Sequence, residues 1–208
     1  MSVQIDTRLY QRQGKAITNF QSTLPALQSD FAHDVLKDPY IFDFITTGDD
    51  TKERHIQNAL LAHIQRFLLE LGVGFTFVGS NYHVVVGDED FYLDLLFYHL
   101  HLRCFVVIDL KKGSFKPEHA GKMNFYLVAV DKQIKHPSDN PTIGLILCET
   151  KSKVTAEYAL TNIASPVGVA TYNTASLPDE LKDQLPDVTA LEASLQKVKE
   201  SIEGEETQ

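Results

Sequence analysis

Two apolar runs in the stretch FYLDLLFYHLHLRCFVVIDLKKGSF, Phe91 to Phe115, each carry an aspartate near the middle, Asp94 and Asp109. A carboxylate set among apolar strand residues loses its hydration and has to be compensated. Strand alternation puts Tyr92, Asp94 and Leu96 on one face of the first run and Leu93, Leu95 and Phe97 on the other. In the second run Val107, Asp109 and Lys111 share a face. An antiparallel hairpin turning at His101-Leu102 sets Asp94 opposite Asp109 and Lys111 opposite Tyr92, and like charges so opposed repel. A divalent cation resolves the repulsion, because Mg²⁺ (or Mn²⁺) takes one or two carboxylates and a backbone carbonyl, such as that of Leu110, adds a further oxygen. Lys111 then stands where it can position or help deprotonate water and stabilise charge gathering on phosphorus. Two acids, an ion and a lysine make a phosphodiester hydrolase. On the pattern alone the plainer reading stays open: two partly exposed strand aspartates hydrogen-bonded to turns.

The elements that would position these residues follow from periodicity. The run KERHIQNALLAHIQRFLLELG spaces Ile56, Leu60, Ile64, Phe67, Leu68 and Leu71 as one helix ending at Gly72. GFTFVG, YHVVVG and the two aspartate-bearing runs read as a strand meander. Pro117 opens a helix extending through Val130, Ile143 to Cys148 is an apolar strand covered on both faces, KVTAEYALTNI a helix and VGVATY a strand. LPDVTALEASLQKVKESIE predicts a last helix running into an acidic tail. Residues 1–48, broken by Pro25 and Pro39, read as an arm or linker, 49–186 as the main domain and 187–208 as the terminal helix and tail. The fold class expected is α/β (α+β), a central mixed sheet flanked by helices.

Composition bounds the rest. The 208 residues carry 19 Lys and Arg against 28 Asp and Glu, a formal charge of −9, which at face value opposes a polyanionic partner. The charge is uneven, however: Glu200, Glu203, Glu205 and Glu206 crowd the tail, whereas Arg103, Lys111, Lys112, Lys116 and Lys122 cluster between 103 and 122. Cys104 and Cys148 sit in apolar runs and form no disulfide framework or metal pair. Neither a signal sequence nor a membrane-spanning apolar run is evident, so a cytoplasmic protein without a membrane partner is expected. His99 with His101 and His55 with His63 lack the company of a zinc site. His83 and His119 fall on segments expected to face a substrate.

The wording around the acids is similar to that of a known family. Asp94 with the "IDLK" of Asp109-Leu110-Lys111 resembles the PD-(D/E)XK nuclease signature, and "FLLELGVGFTFVG", "DFYLDLLFYH", "LRCFVVIDLKKGSFKPEHAGKMNFYLVAVD" and "NPTIGLILC" resemble the YhcG-type members of that superfamily from about Asp38 to Pro186. The resemblance implies a restriction-endonuclease-like core and a metal-dependent endonuclease acting on DNA, with branched or structured DNA a candidate substrate, and Mg²⁺ or Mn²⁺ held by Asp94, Asp109 and the Leu110 carbonyl. It implies a further acid on the first helix, where this chain offers Glu53 and, one turn on, Gln57 in place of a glutamate. It places Ser80, Asn81, His83, Lys112, Lys116 and Lys122 towards nucleic acid, with "GSN" standing for an arginine and glutamine and Lys122 for a glutamine. Leu93 replaces the proline before the first acid, and Asp109 a frequent glutamate. Relatives commonly carry an upstream domain akin to DNA-binding folds, expected to be missing here, and cutting both strands of a duplex favours a homodimer. A non-catalytic nucleic-acid-binding or assembly module that keeps the fold is the alternative.

Overall fold

The computed structural model describes residues 9–47 and 52–176. The chain-order elements are α1 (Leu9–Arg12), β1 (Ile17–Thr18), α2 (Phe20–Thr23), α3 (Ala26–Val35), β2 (Tyr40–Thr47), α4 (Glu53–Ala62), α5 (Ile64–Leu71) and β3 (Phe75–Val86). Then come β4 (Glu89–His99), β5 (Cys104–Ser114), α6 (Pro117–Gln133), β6 (Ile143–Thr150), α7 (Lys153–Leu160) and β7 (Val167–Ser176). The strands form one seven-stranded sheet in the order β1-β7-β6-β5-β4-β3, with β2 also paired to β7. β3, β4 and β5 run antiparallel, whereas β5-β6 and β6-β7 are parallel, so the sheet is mixed as the pattern of runs implied. β6 is buried from Ile143 to Cys148, as a parallel strand sandwiched between layers must be.

Two apolar layers clothe the sheet. On one side Phe20, Ala32, Tyr40, Phe42, Ile56, Leu60, Phe67 and Leu71 pack with Leu95, Phe97, Ile108 and Leu110. On the other, α6 and α7 bring Ala120, Met123, Leu127, Val130, Ala156 and Leu160 against Leu93, Leu96, Val107 and Ile146. Helix α6 lies so close that a Cβ on Gly144 would fall 2.5 Å from Met123 Cγ, which explains the glycine there.

Three expectations are corrected. Residues 9–47 are no arm: β1 and β2 join the sheet through β7, and Phe20, Tyr40 and Phe42 are fully buried. The long helix is two, because His63 leaves helical geometry (φ −113°, ψ 38°) and turns its ring edge-on to Phe44 at 5.8 Å. The first two strands of the meander are one, β3, which absorbs its glycine in a bulge between Phe77 and Gly79. The expected terminal helix and acidic tail lie outside the described residues. Among the described residues no helix is long and apolar enough to cross a membrane.

Candidate metal and nucleic-acid site

The hairpin of β4 and β5 has the register expected from the sequence, running from Leu95 opposite Ile108 to His99 opposite Cys104. It ends one step short of the acids. Past Leu95, β4 parts from β5, and β5 continues only beside β6, with Asp109, Leu110 and Lys111 facing Ile146, Leu147 and Cys148. The expected Lys111–Tyr92 pair therefore does not form; Tyr92 pairs with His83 on β3 instead. A side chain replaces the lost ladder, since Leu110 N–H donates to Asp94 Oδ2 at 3.0 Å.

Alternation also breaks at this point. Leu95 and Phe97 enter one core, yet Leu93 packs in the other together with Leu96, so the odd residues of β4 do not share a face throughout. Opposite the break, Asn81 of β3 adopts a left-handed φ of 45°, a conformation asparagine tolerates better than most residues. The kink re-aims Asp94 into an opening between the strands and α4.

Asp109 is 2% exposed, and neither of its carboxylate oxygens accepts a hydrogen bond of sound geometry. It is faced by cations nonetheless: Lys111 Nζ stands 2.7 Å from Oδ2 and Lys122 Nζ 3.6 Å from Oδ1. The first contact is thus an ion pair by distance without hydrogen-bond alignment. Lys111 also donates to the Leu110 carbonyl at 2.8 Å and lies 3.8 Å from Glu53. Burial pushes the Asp94 carboxyl up to about 6 and the Asp109 charge adds to this, against the Leu110 N–H bond and the charges of Lys111 and Lys122. For Lys122, burial works downward but Asp109 and Tyr126 outweigh it, so its pKa is raised. Its ammonium sits 5.2 Å over the Tyr126 ring. His119, on the first turn of α6, is lowered by burial and by Lys111.

Helix α4 closes the site from above β5. Glu53, its first residue, accepts the Lys112 backbone N–H at 2.9 Å, and buried Gln57 donates through Nε2 to the Asp94 carbonyl at 2.7 Å. One turn of helix therefore grips both strands where they diverge. Outside this grip is an open cleft of about 930 Å³ lined by Lys52, Glu53, Arg54, Gln57, Asn81, Tyr92, Asp94 and Lys112.

Of the residues singled out by sequence, the structure gathers Glu53, Gln57, Asn81, Asp94, Asp109, Leu110, Lys111, Lys112 and Lys122 around this one place. His83 stands at its margin, stacked on Tyr92 and paired with Asp90 at 2.5 Å. Ser80 and Lys116 do not line the cleft; Lys116 lies 3.9 Å from Glu118, both exposed. Lys52, Arg54 and Tyr92 were missed. The lysine and arginine flank Glu53 at a helix start, which reads as a solvated charge run, and only the aromatic placed two residues before Asp94 could have signalled the third.

The donors present suit a hard cation. They are all oxygens: two carboxylates, one of them buried with no hydrogen bond, and the Leu110 carbonyl. Lys111 Nζ already bridges Asp109 Oδ2 and Leu110 O, so a positive charge is accommodated there. Among the described residues no group of three or more His, Cys, Asp or Glu is placed to hold an ion.

A mixed sheet whose diverging central strands present D…D-x-K beneath a helix is the site architecture of a PD-(D/E)XK nuclease domain. Residues 33–186 match the family described as the YhcG PDDEXK nuclease domain, and the chain belongs to that family, whose members generally use divalent metals. The match starts ahead of the boundary expected at residue 49. The chain is 36% identical over 187 residues to the Escherichia coli (strain K12) protein described as "Putative nuclease YhcG", covering 88% of this chain and 50% of that protein. It thus spans about half the length of that curated relative. Among solved structures, a repair endonuclease from Pyrococcus abyssi aligns with a TM-score of 0.40 at 15% identity, over 63% of this chain and 50% of that one. An EndoMS complex with double-stranded DNA aligns with a TM-score of 0.39 at 13% identity, over 59% and 45%.

Proposed function

We propose that the chain is a divalent-metal-dependent endonuclease that hydrolyses phosphodiester bonds in linear or branched DNA. The observation that carries this reading is the Asp109 carboxylate, buried, offset by the Lys111 and Lys122 ammonium groups, and set beside a second acid whose ionisation burial and Asp109 disfavour. Structural carboxylates are normally satisfied when buried. Here the balance comes from two lysines, and the oxygens of Asp109, Asp94 and the Leu110 carbonyl are of the kind that suits Mg²⁺ or Mn²⁺.

Asp94, Asp109 and the Leu110 carbonyl would hold the ion, with Gln57 adding its amide oxygen. When bound, such an ion lowers the pKa of water and offsets charge on the phosphate. The chain's own residues do the rest. Lys111, which Glu53 and Asp109 flank, directs an ammonium at the attacking water and at the charge that develops in the transition state. Glu53 and Gln57 tie α4 to β5 and β4 where the strands part, with Asp94 at the cleft and Asp109 buried behind it. Lys112 and Lys122, with Asn81, face the phosphates that flank the reacting one. Cleavage of both strands would call on a homodimer, and a cytoplasmic setting belongs to the same reading.

Two observations favour the non-catalytic alternative: Asp109 already has two lysines against it, and Gln57 withholds a third acid. The deciding experiment is cleavage of linear and branched DNA with Mn²⁺ or Mg²⁺, run beside Asp109→Ala and Lys111→Ala. Wild-type cleavage reduced at least about 100-fold in both variants is expected, as for loss of groups that act on the transition state. Undiminished cleavage by either variant, or none by the wild type together with no calorimetric Mn²⁺ binding, rejects the enzyme.

A further inference from the structure

We infer that Tyr92 is a stacking platform for an unpaired base beside the reacting phosphate, so that the substrate class is DNA with a single-stranded nucleotide at the cleft, not continuous duplex. This rests on the nuclease reading above. Three observations carry it.

First, Tyr92 is 55% exposed and lines the same cleft as Asp94, two residues away on β4. More than half of this large ring is left bare beside a half-buried acid. Second, the ring is held from behind. His83, its cross-strand partner, stacks on it with centroids 5.1 Å apart and planes 29° from parallel, and Asp90 fixes His83 through a 2.5 Å contact at Nε2. The chain Asp90–His83–Tyr92 presets the ring, so that little ordering is left to be done on binding. Third, Lys52, Arg54 and Lys112 share the cleft, which supplies cations for a backbone beside a π-face for a base. Aromatic platform and cationic groove together are the recognition chemistry of single strands. A base inside duplex has neighbours on both faces and offers Tyr92 no surface.

The test is fluorescence anisotropy in the presence of a chelator, so that nothing is cleaved. The probes are a labelled 12-nucleotide single strand, the same strand with abasic sites, and the 12-base-pair duplex. Tyr92→Ala should weaken binding of the base-bearing strand roughly 5- to 150-fold, the range of one base–aromatic stack, while leaving the abasic strand and the duplex unchanged. Tyr92→Phe should bind as the wild type does. The inference is overturned if Tyr92→Ala binds the base-bearing strand normally, if it loses all three probes equally, or if the wild type does not bind single strands. Mn²⁺-dependent cleavage of the same probes separates this from the reading beneath it. Cleavage with no base dependence sinks the platform alone, whereas base-dependent binding without cleavage sinks the nuclease alone.

Discussion

Asp94 and Asp109 are costly as neighbours and useful as a pair. Burial, and after it the charge of Asp109, push the Asp94 carboxyl up to about 6, above the usual carboxylate value of about 4, against the pull of Lys111 and Lys122. An acid whose pKa is raised in the fold stabilises it while protonated: the contribution is full below about pH 4 and is lost as the pH climbs through about 6. Asp94→Asn removes the ionisation and keeps an oxygen for the Leu110 N–H. In chelator the variant should therefore be more stable than the wild type at pH 7.5, by about 1–2 kcal/mol, and nearly equal to it at pH 4. Thermal melts at the two pH values check this, and an advantage that does not grow with pH contradicts it. Mn²⁺ should reverse the ranking at pH 7.5, because only the wild type gains from the ion. The nearness of Lys111 to Asp109 was legible in the sequence, two residues apart on one strand. The 3.6 Å approach of Lys122 to Asp109 was not, since it depends on how α6 crosses the sheet.

At the scale of elements, the site exists because α4 inserts where β4 and β5 part. The strand register could be read from the two runs; the parting could not, because it comes from the bulge and the left-handed Asn81 in the neighbouring strand and from Gln57 bonding to the Asp94 carbonyl. The break at His63 was equally silent: nothing in AHIQ forbids a continuous helix, and the turn serves contact with Phe44. Gln57 fills a structural post at a place where relatives are expected to carry an acid. Gln57→Glu would exchange a donated hydrogen bond for a third buried carboxylate near Asp94, at about 1–3 kcal/mol for the unsatisfied carbonyl and the added repulsion. In chelator its melting temperature should fall; with Mn²⁺ it should rise by more than the wild type's does. Calorimetry should show tighter Mn²⁺ binding than in the wild type. A variant equally stable with and without Mn²⁺ would show that Gln57 does not face the ion.

At the scale of the whole molecule, the part the sequence hid is the part that closes the sheet. Short elements interrupted by Pro25 and Pro39 resemble an arm, and the strand they pair with, β7, is more than a hundred residues away, so no local pattern announces the contact. What fastens this segment is a buried charge cluster. Arg12 contacts Glu70 at 2.5 Å and donates to the Pro39 carbonyl at 2.8 Å; Lys37 bonds the Glu70 carbonyl, and the Ile41 N–H donates to the Glu70 carboxylate at 2.9 Å. Burial lowers the Lys37 pKa even with Glu70 near, which marks how far from water the cluster lies. Glu70→Ala would remove the carboxylate that Arg12, Lys37 and β2 converge on and leave two buried cations facing carbonyls with that counter-charge gone. The expected cost is about 3–5 kcal/mol, the usual outcome of breaking a buried pair from one side. The exposed Lys153–Glu157 pair, 3.8 Å apart with side chains 78% and 51% exposed, is the internal control. Glu157→Ala should change stability by no more than about 0.5 kcal/mol. Urea unfolding of the two variants decides the matter. Equal midpoints would mean that residues 9–40 contribute little to the cooperative unit, and that the domain's folding rests on the sheet from β3 to β7 alone.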